Sequence, residues 1–104
     1  MRVHVLYAHP VETSFAAALH EAVTKGLAEA GHEVDDCDLY AEGFAAVLTR
    51  DERLAYHDVA TNIDPVAAYV ARLRAAEAVV LVYPVWNFGM PAILKGFFDR
   101  VFLP

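Results

Sequence analysis

Two short loops of the chain carry the residues whose types and spacing could bind a ligand. The first reads "HPVETSF", residues 9–15, and precedes a stretch with helical periodicity. The first amides of a helix have no intrahelical acceptor and lie at the positive end of its dipole, so they attract phosphate. We expect the amides of Ser14, Phe15 and Ala16 to be free in this way. Together with the nearby hydroxyl and imidazole groups they form a candidate phosphate site: His9, Thr13, Ser14, Phe15 and Ala16. An equally good interpretation is that Ser14 only caps the helix and His9-Pro10 only turns the chain.

The second loop is unusually aromatic for a connection between elements. It reads "PVWNFGM", residues 84–90, and directly follows an apolar run. Aromatic rings supply stacking and apolar cover, while backbone amides supply directional hydrogen bonds, a combination suited to a flat heteroaromatic ligand. The candidate residues for this ring site are Pro84, Val85, Trp86, Asn87 and Phe88. The alternative is that Trp86 and Phe88 are ordinary core or dimer-interface residues.

Both loops follow strands of the expected fold, and a single ligand would explain both. Ligands of open α/β sheets bind outside the carboxyl ends of the strands. A flavin has a phosphate tail and a planar redox ring, and it therefore matches a phosphate loop beside an aromatic loop. In such a protein the cofactor carries the chemistry. We accordingly expect no catalytic acid or base in this chain.

The chain lacks the sequence motifs of several other kinds of binding site and enzyme. The chain has no GxGxxG fingerprint and no GxxxxGK[ST] loop. It has no HExxH or similar pairing of ligands, so we expect no metal site. Ser14 is the only serine and does not lie in a G-x-S-x-G elbow. Cys37 is the only cysteine, and its acidic setting "DDCDLY" disfavours a nucleophilic thiolate.

Composition limits the partners of this 104-residue chain. Hydrophobic residues make up 58% of it, which is ample for one small domain. The net charge is −6, with a pI near 5.2 and no basic cluster, which argues against nucleic-acid binding. The apolar N-terminal run is shorter than the ~20 residues of a membrane-spanning helix and does not resemble a signal peptide. We expect a cytoplasmic protein without stable membrane insertion.

Apolar periodicity predicts alternating strands and helices. Residues 3–8 form a β-rich run, and a helix with Ser14 as its N-cap and Gly31 beyond its end follows. Residues 32–40 predict a strand near the edge of the sheet, and residues 49–57 one or two helical turns. Asp64 and Pro65 predict the N-cap and first position of another helix.

The remaining elements complete an α/β pattern. The run at 78–82 lacks alternation, which predicts a central strand covered on both faces, and Pro91 opens a last helix. Strands that alternate with helices predict a doubly wound parallel sheet. With only three strands, the last lies at or beside an unprotected edge, which suggests the first half of a larger domain or part of an intimate oligomer.

Three segments resemble one known family. "YAHPVETSFAAAL", "DLYAEGF" and "YPVWNFGMPAILKGFFDRVF" are similar, in this order, to segments of the NAD(P)H:quinone oxidoreductases, which are flavoproteins with a flavodoxin-like fold. The resemblance extends over essentially all 104 residues. It implies a flavodoxin-like sheet of order 2-1-3-4-5, bound FAD (FMN in some relatives) and a homodimer.

The resemblance also implies roles for the two loops. His9, Ser14, Phe15 and Ala16 match the family's loop around the flavin phosphates, where relatives often have Asn at the position of Ala16. Residues 84–88 match the loop around the isoalloxazine ring. The amides of residues 86–88 would then adjust the electronics of that ring.

The implied activity is a two-electron transfer from NAD(P)H, as hydride through flavin N5, to quinone-like acceptors. Family members continue for roughly another half-domain, so residues 1–104 are expected to be the N-terminal part of a single flavodoxin-like domain, truncated after the third strand and its helix. Two alternatives remain open. One is a non-enzymatic flavin-binding regulatory subunit, for example of a potassium-efflux system, and the other is an inactive fragment of the oxidoreductase.

Overall fold

A parallel sheet of three strands forms the centre of the molecule, as seen in a computed structural model that describes residues 1–104. β1 (Arg2–Tyr7) lies in the middle, with β2 (Glu33–Asp38) on one side and β3 (Ala78–Val82) on the other. Both outer strands run parallel to β1, so the order 2-1-3 implied by the resemblance is confirmed. Because all three strands point the same way, their following loops lie along one edge of the sheet.

Four α-helices connect and cover the strands. They are α1 (Phe15–Glu29), α2 (Arg50–Leu54), α3 (Ala67–Ala75) and α4 (Ala92–Val101). Ser14 is the N-cap of α1, as predicted. Gly31 follows that helix at φ +86°, a left-handed conformation that glycine adopts without steric cost. None of the helices is long and apolar enough to cross a lipid bilayer.

Apolar clusters cover both faces of the sheet. The cluster beneath α1 consists of Val3, Val5, Tyr7, Ala16 and Val82. The larger cluster beneath α3 and α4 consists of Leu6, Ala8, Cys37, Leu39, Phe44, Val66, Val70, Leu94, Phe97 and Val101. Burial in this second cluster raises the pKa of Cys37 to about 12, which keeps it protonated and unreactive.

Two details differ from the sequence prediction. Asp64 is not an N-cap, because the chain already turns before it: its amide donates to the carbonyl of Thr61, and Asp64–Val66 form a 3₁₀ turn that precedes α3. β3 is not covered on both faces. Val79 and Leu81 are 43% and 39% exposed because β3 is the outermost strand on its side of the sheet.

A charged network fastens α3 to β2. Arg72 donates to Asp35 at 3.0 Å and to Glu42 at 2.7 Å. The Nδ1 atom of buried His4 lies 2.9 Å from the other Asp35 oxygen. Burial alone would raise the pKa of Asp35, but the hydrogen bonds from Arg72 and His4 outweigh burial and hold that pKa below its usual value.

Candidate functional site

The first loop leaves two helix amides free. The Ser14 side chain accepts a hydrogen bond from the Ala17 amide at 3.0 Å, so it caps α1. The amide of Ser14 donates to the Val11 carbonyl at 3.2 Å, so the prediction that this amide is free is wrong. The amides of Phe15 and Ala16 donate to no group of the chain. These two remain available to an anion at the positive end of α1.

His9 joins the two loops. Its Nδ1 accepts the amide of Val11 at 3.0 Å, so the neutral ring carries its proton on Nε2. The His9 ring meets the Trp86 ring edge-on, with 5.4 Å between centroids and 71° between planes. The expectation that both loops lie at the same end of the sheet is therefore confirmed by direct contact.

The second loop is a tight hairpin turn. The Trp86 amide donates to the Gly89 carbonyl at 2.9 Å, and the Gly89 amide donates back at 3.1 Å. The two central residues, Asn87 and Phe88, have φ +49° and +66°, as in a type I′ turn. Their amides are free, whereas the Trp86 amide is used within the turn. Of the three amides of residues 86–88, only those of Asn87 and Phe88 can therefore contact a ligand.

Phe88 combines backbone strain with full exposure. A non-glycine residue in the left-handed region costs ~1–2 kcal/mol. The Phe88 side chain is 105% exposed, so no packing contact compensates for that cost, and Trp86 beside it is 41% exposed. These two rings are therefore not core residues of this chain, whereas the alternative that they lie at a dimer interface stays open. Strained, exposed residues of this kind are typical of ligand clamps.

The other predicted residues lie around these amides and rings. Val85 and Phe15 are 71% and 85% exposed, and Thr13 is also exposed. Pro84 is half-buried at the end of β3. The Ala16 side chain is buried between α1 and the sheet, so that only its amide is available.

A cavity of about 430 Å³ opens beside the first loop, at the carboxyl ends of β1 and β2. Its polar lining residues are Tyr7, His9, Glu12, His20, Asp38 and Tyr40. Of these, sequence reasoning assigned a ligand-binding role only to His9. The position of Asp38 and Tyr40 at the end of the second strand was the signal that could have identified them, since ligands gather at strand ends.

Stacked rings form one wall of this cavity. The Tyr7 and His20 rings lie 3.9 Å apart at an angle of 9°. His20 Nε2 is 2.8 Å from Asp36 Oδ1, which orients the imidazole. Burial raises the pKa of Tyr7, the nearby Ser14 hydroxyl opposes that rise, and the charges of Asp38 and Asp36 add to it. The phenol is therefore a protonated donor at neutral pH.

Comparisons with known proteins identify relatives over the whole chain. A family model described as flavodoxin-like fold matches residues 1–104. NAD(P)H dehydrogenase (quinone) 1 of Rattus norvegicus is 35% identical over 96% of this chain and 42% of that protein. The FMN-dependent NADH:quinone oxidoreductase of Brevibacillus brevis is 31% identical over 86% of this chain and 49% of that protein.

A solved structure agrees closely with the fold. The NAD(P)H:quinone oxidoreductase from Methanothermobacter marburgensis superposes with a TM-score of 0.87 and 37% identity. The match covers 99% of this chain and 54% of that one. The chain thus spans about half the length of the relatives it matches.

Proposed function

Because this chain belongs to the flavodoxin-like fold family and its relatives include NAD(P)H:quinone oxidoreductases, we propose that it forms part of a flavin-dependent NAD(P)H oxidoreductase. In this proposal residues 1–104 are the first part of one flavodoxin-like domain. The complete enzyme transfers two electrons from NAD(P)H to a quinone-like acceptor. It works as a homodimer in the cytoplasm.

The observation that carries this proposal is the contact between His9 and Trp86. It brings the free amides of the first helix turn next to the strained turn with its exposed rings. A ligand that bridges the two loops must be anionic at one end and flat and apolar at the other. A flavin meets both requirements, and a relative named as FMN-dependent supports the choice of cofactor. We propose FAD, with FMN as the alternative.

The residues of the chain fit a flavin in two groups. At the phosphate end are the α1 amides, the His9 Nε2 donor and the exposed hydroxyl of Thr13: His9, Thr13, Ser14, Phe15 and Ala16. Ser14 acts there by capping the helix that presents the amides. At the ring end are the turn and the residues before it: Pro84, Val85, Trp86, Asn87 and Phe88.

The chemistry of the reaction comes from the flavin, which when bound accepts a hydride and releases two electrons. This chain's contribution is binding and orientation. The free amides of Asn87 and Phe88 would hold the polar part of the ring, and preorganised donors of this kind stabilise developing negative charge. The exposed rings of Trp86 and Phe88 would cover the flavin and exclude water.

A titration of the purified chain with FMN and FAD tests the proposal. Flavin fluorescence and absorbance report binding, and added NADH or NADPH reports reduction. We expect binding followed by bleaching of the visible absorbance of the flavin. Bound flavin that resists reduction would favour a regulatory subunit over an enzyme. Absence of flavin binding would favour an inactive fragment of the oxidoreductase and would contradict flavin binding by this chain alone.

Trp86→Ala tests the ring site. The substitution removes one stacking contact worth ~1–1.5 kcal/mol, so we expect flavin binding to weaken about tenfold. Phe102→Ala is the matched control, because that ring is 44% exposed, close to the 41% of Trp86, but lies at the end of α4. Equal flavin affinities of the two variants would rule out the stacking role.

A further inference from the structure

Another cavity, of about 450 Å³, opens between α2, the segment that leads into α3, and the second half of α4. Its volume lies within the ~300–1,000 Å³ range of small-molecule sites. None of its lining residues belongs to the two loops of the flavin site, residues 9–16 and 84–88, or to the cavity beside the first loop. A ligand bound here would therefore share no residue with the flavin.

Negative charge dominates the lining of this cavity. It contains three carboxylates, those of Asp51, Glu52 and Asp64, and one guanidinium, that of Arg100. Arg100 and Glu52 neutralise each other, because the Arg100 Nε donates to a Glu52 oxygen at 2.9 Å and both side chains are almost buried. The lining therefore keeps two uncompensated negative charges, on Asp51 and Asp64. A cleft lined by one sign of charge attracts ligands of the opposite sign.

Both of these carboxylates are open to a ligand. No side chain of the chain pairs with Asp64. Asp51 pairs only with the adjacent Arg50, at 3.4 Å, and both of those side chains are more than four-fifths exposed. Exposed ion pairs of this kind contribute little free energy, so a cation in the cavity can replace Arg50.

Asn62 supplies independent evidence for a ligand. The residue lines the cavity and is only 7% exposed. Its Nδ2 donates to the carbonyl of Tyr56 at 3.0 Å and to that of Pro104 at 3.5 Å, and neither of these residues lines the cavity. These bonds orient the amide and leave Oδ1, which has no hydrogen-bond partner, for the cavity. A buried acceptor without a donor is rare and costs free energy, which a donor bound in the cavity would recover.

The lining suits an ammonium group better than a metal ion. No group of three or more His, Cys, Asp or Glu side chains in the chain could hold a metal. The cavity is also far larger than a single ion. An ammonium group carries one positive charge and three N–H donors, so it can pair with a carboxylate and donate to Asn62 Oδ1 at once. Ala55 and Pro65 offer apolar contact to a short hydrocarbon chain.

We propose that this cavity binds a short aliphatic diamine. One ammonium group donates to Asp64 and to Asn62 Oδ1, and the other pairs with Asp51 in place of Arg50. The hydrocarbon chain between them lies along the apolar part of the lining. Two positive charges match the two negative charges that the lining leaves uncompensated. The inference does not depend on the proposed function, because the two sites share no residue.

Titrations of 1,4-diaminobutane and of n-butylamine into the chain at low ionic strength test the site directly. Asn62 and Asn87 carry the only side-chain amides of the chain, so two-dimensional NMR separates a signal at the cavity from a signal at the ring site. We expect the Asn62 signal to move and the Asn87 signal to stay. The diamine should bind about fivefold more tightly than the monoamine, since it adds one exposed ion pair of ~1 kcal/mol. Equal affinities, or an unmoved Asn62 signal, would overturn the proposal.

Three variants locate the binding energy. Asp51→Asn and Asp64→Asn each remove one charge but keep the size of the side chain, and each is expected to weaken 1,4-diaminobutane about fivefold. Glu29→Gln, at the exposed end of α1, is the matched control, because it removes one charge away from the cavity and should leave the affinity unchanged. An equal loss in Glu29→Gln would show that the amine responds only to the net charge of −6, which would contradict the assignment.

Calcium chloride separates a diamine site from a metal site. Ca²⁺ prefers carboxylate and amide oxygens, which this lining also contains. We expect Ca²⁺ to leave the Asn62 signal unmoved at concentrations at which the diamine saturates the site. Tighter binding of Ca²⁺ than of the diamine at Asn62 would overturn the inference. FMN titrated with and without the diamine should show equal affinities, and a diamine that competes with FMN would likewise contradict a separate site.

Discussion

The two outer strands of the sheet, β2 and β3, pair with the same central strand, but one carries charged side chains and the other apolar ones. β2 carries charged side chains that are paired: Glu33 with Arg2, Asp35 with Arg72, and Asp36 with His20. β3 carries only apolar residues, and two of them remain partly exposed. The ends of the strands differ in the same way, since β2 leads to a polar cavity and β3 to a turn with exposed rings.

This difference shows which outer strand is protected from contacts with other chains and which is not. Charged side chains protect an edge strand from pairing with other chains, and β2 has them. β3 has an apolar outer side with no such protection, so its surface gains free energy when another group covers it. The strained turn and the exposed rings belong to this same side. We therefore propose that the β3 side is where the chain meets the flavin ring or further protein.

Two leucines in register give the sharpest test of the comparison. Leu6 of β1 pairs with Leu81 of β3, but Leu6 is 0% exposed and Leu81 is 39% exposed. Leu6→Ala is expected to lower the free energy of unfolding by ~3–4 kcal/mol, because it leaves a cavity. Leu81→Ala is expected to cost ~1 kcal/mol, because less apolar area is lost. Urea denaturation monitored by circular dichroism measures both values.

The expected gap between these leucines depends on β3 being partly uncovered. If Leu81→Ala destabilised the chain as much as Leu6→Ala, Leu81 would be buried in solution, either by a second copy of the chain or by another part of the same chain. Repeating both measurements at several protein concentrations separates self-association, which is concentration-dependent, from a difference in the fold.

Arg72→Ala tests the network on the opposite side. The substitution leaves two partly buried carboxylates, Asp35 and Glu42, without their cation. We expect a loss of ~2–3 kcal/mol, below the ~3–5 kcal/mol of fully buried pairs because the Arg72 side chain is 25% exposed. Arg72→Lys keeps the charge but not the forked geometry, so an intermediate loss is expected. A loss below ~0.5 kcal/mol in Arg72→Ala would show that β2 does not depend on this network.

The same network predicts sensitivity to acid. The pKa values of Asp35 and Glu42 are raised by burial but lowered further by Arg72, so both lie below their usual values. Carboxyls with a depressed folded-state pKa stabilise the protein above their unfolded pKa of ~4, and this stabilisation is lost as the pH falls through the folded value. Unfolding free energy should therefore be steady from neutral pH to about pH 5 and decrease below it, with a weaker decrease in Arg72→Ala.

Local signals account for the features that the sequence predicted correctly. The cap at Ser14 and the left-handed Gly31 depend on neighbouring residues, which are visible in one short window. Arg72 and Asp35 are 37 residues apart, so no local pattern could pair them. The packing of Gly96 against Ala46 is equally remote: a Cβ on Gly96 would lie 2.2 Å from the Ala46 carbonyl oxygen, which explains a glycine within α4.

The candidate site shows the same division. Helix starts and aromatic loops can be recognised in sequence, and the two loops were identified in that way. The turn at Asn87-Phe88 could not be typed, because type I′ turns ordinarily signal themselves by a glycine at the second central position, where this chain has Phe88. The cavity beside Tyr7 and His20 depends on a contact between strand and helix, which periodicity alone does not specify.

Phe88 offers the smallest effect and the most specific one. Phe88→Gly relieves a left-handed phenylalanine whose side chain makes no packing contact, so the free energy of unfolding should rise by ~0.5–1 kcal/mol after the entropy cost of glycine. Phe88→Ala keeps the penalty at φ +66° and should give no such gain. Flavin affinity should fall in both variants, because both lose the ring. A chain that gains stability in Phe88→Gly while it loses flavin would show that the β3 side maintains strain for binding. A gain without any loss of flavin affinity would instead remove Phe88 from the ring site.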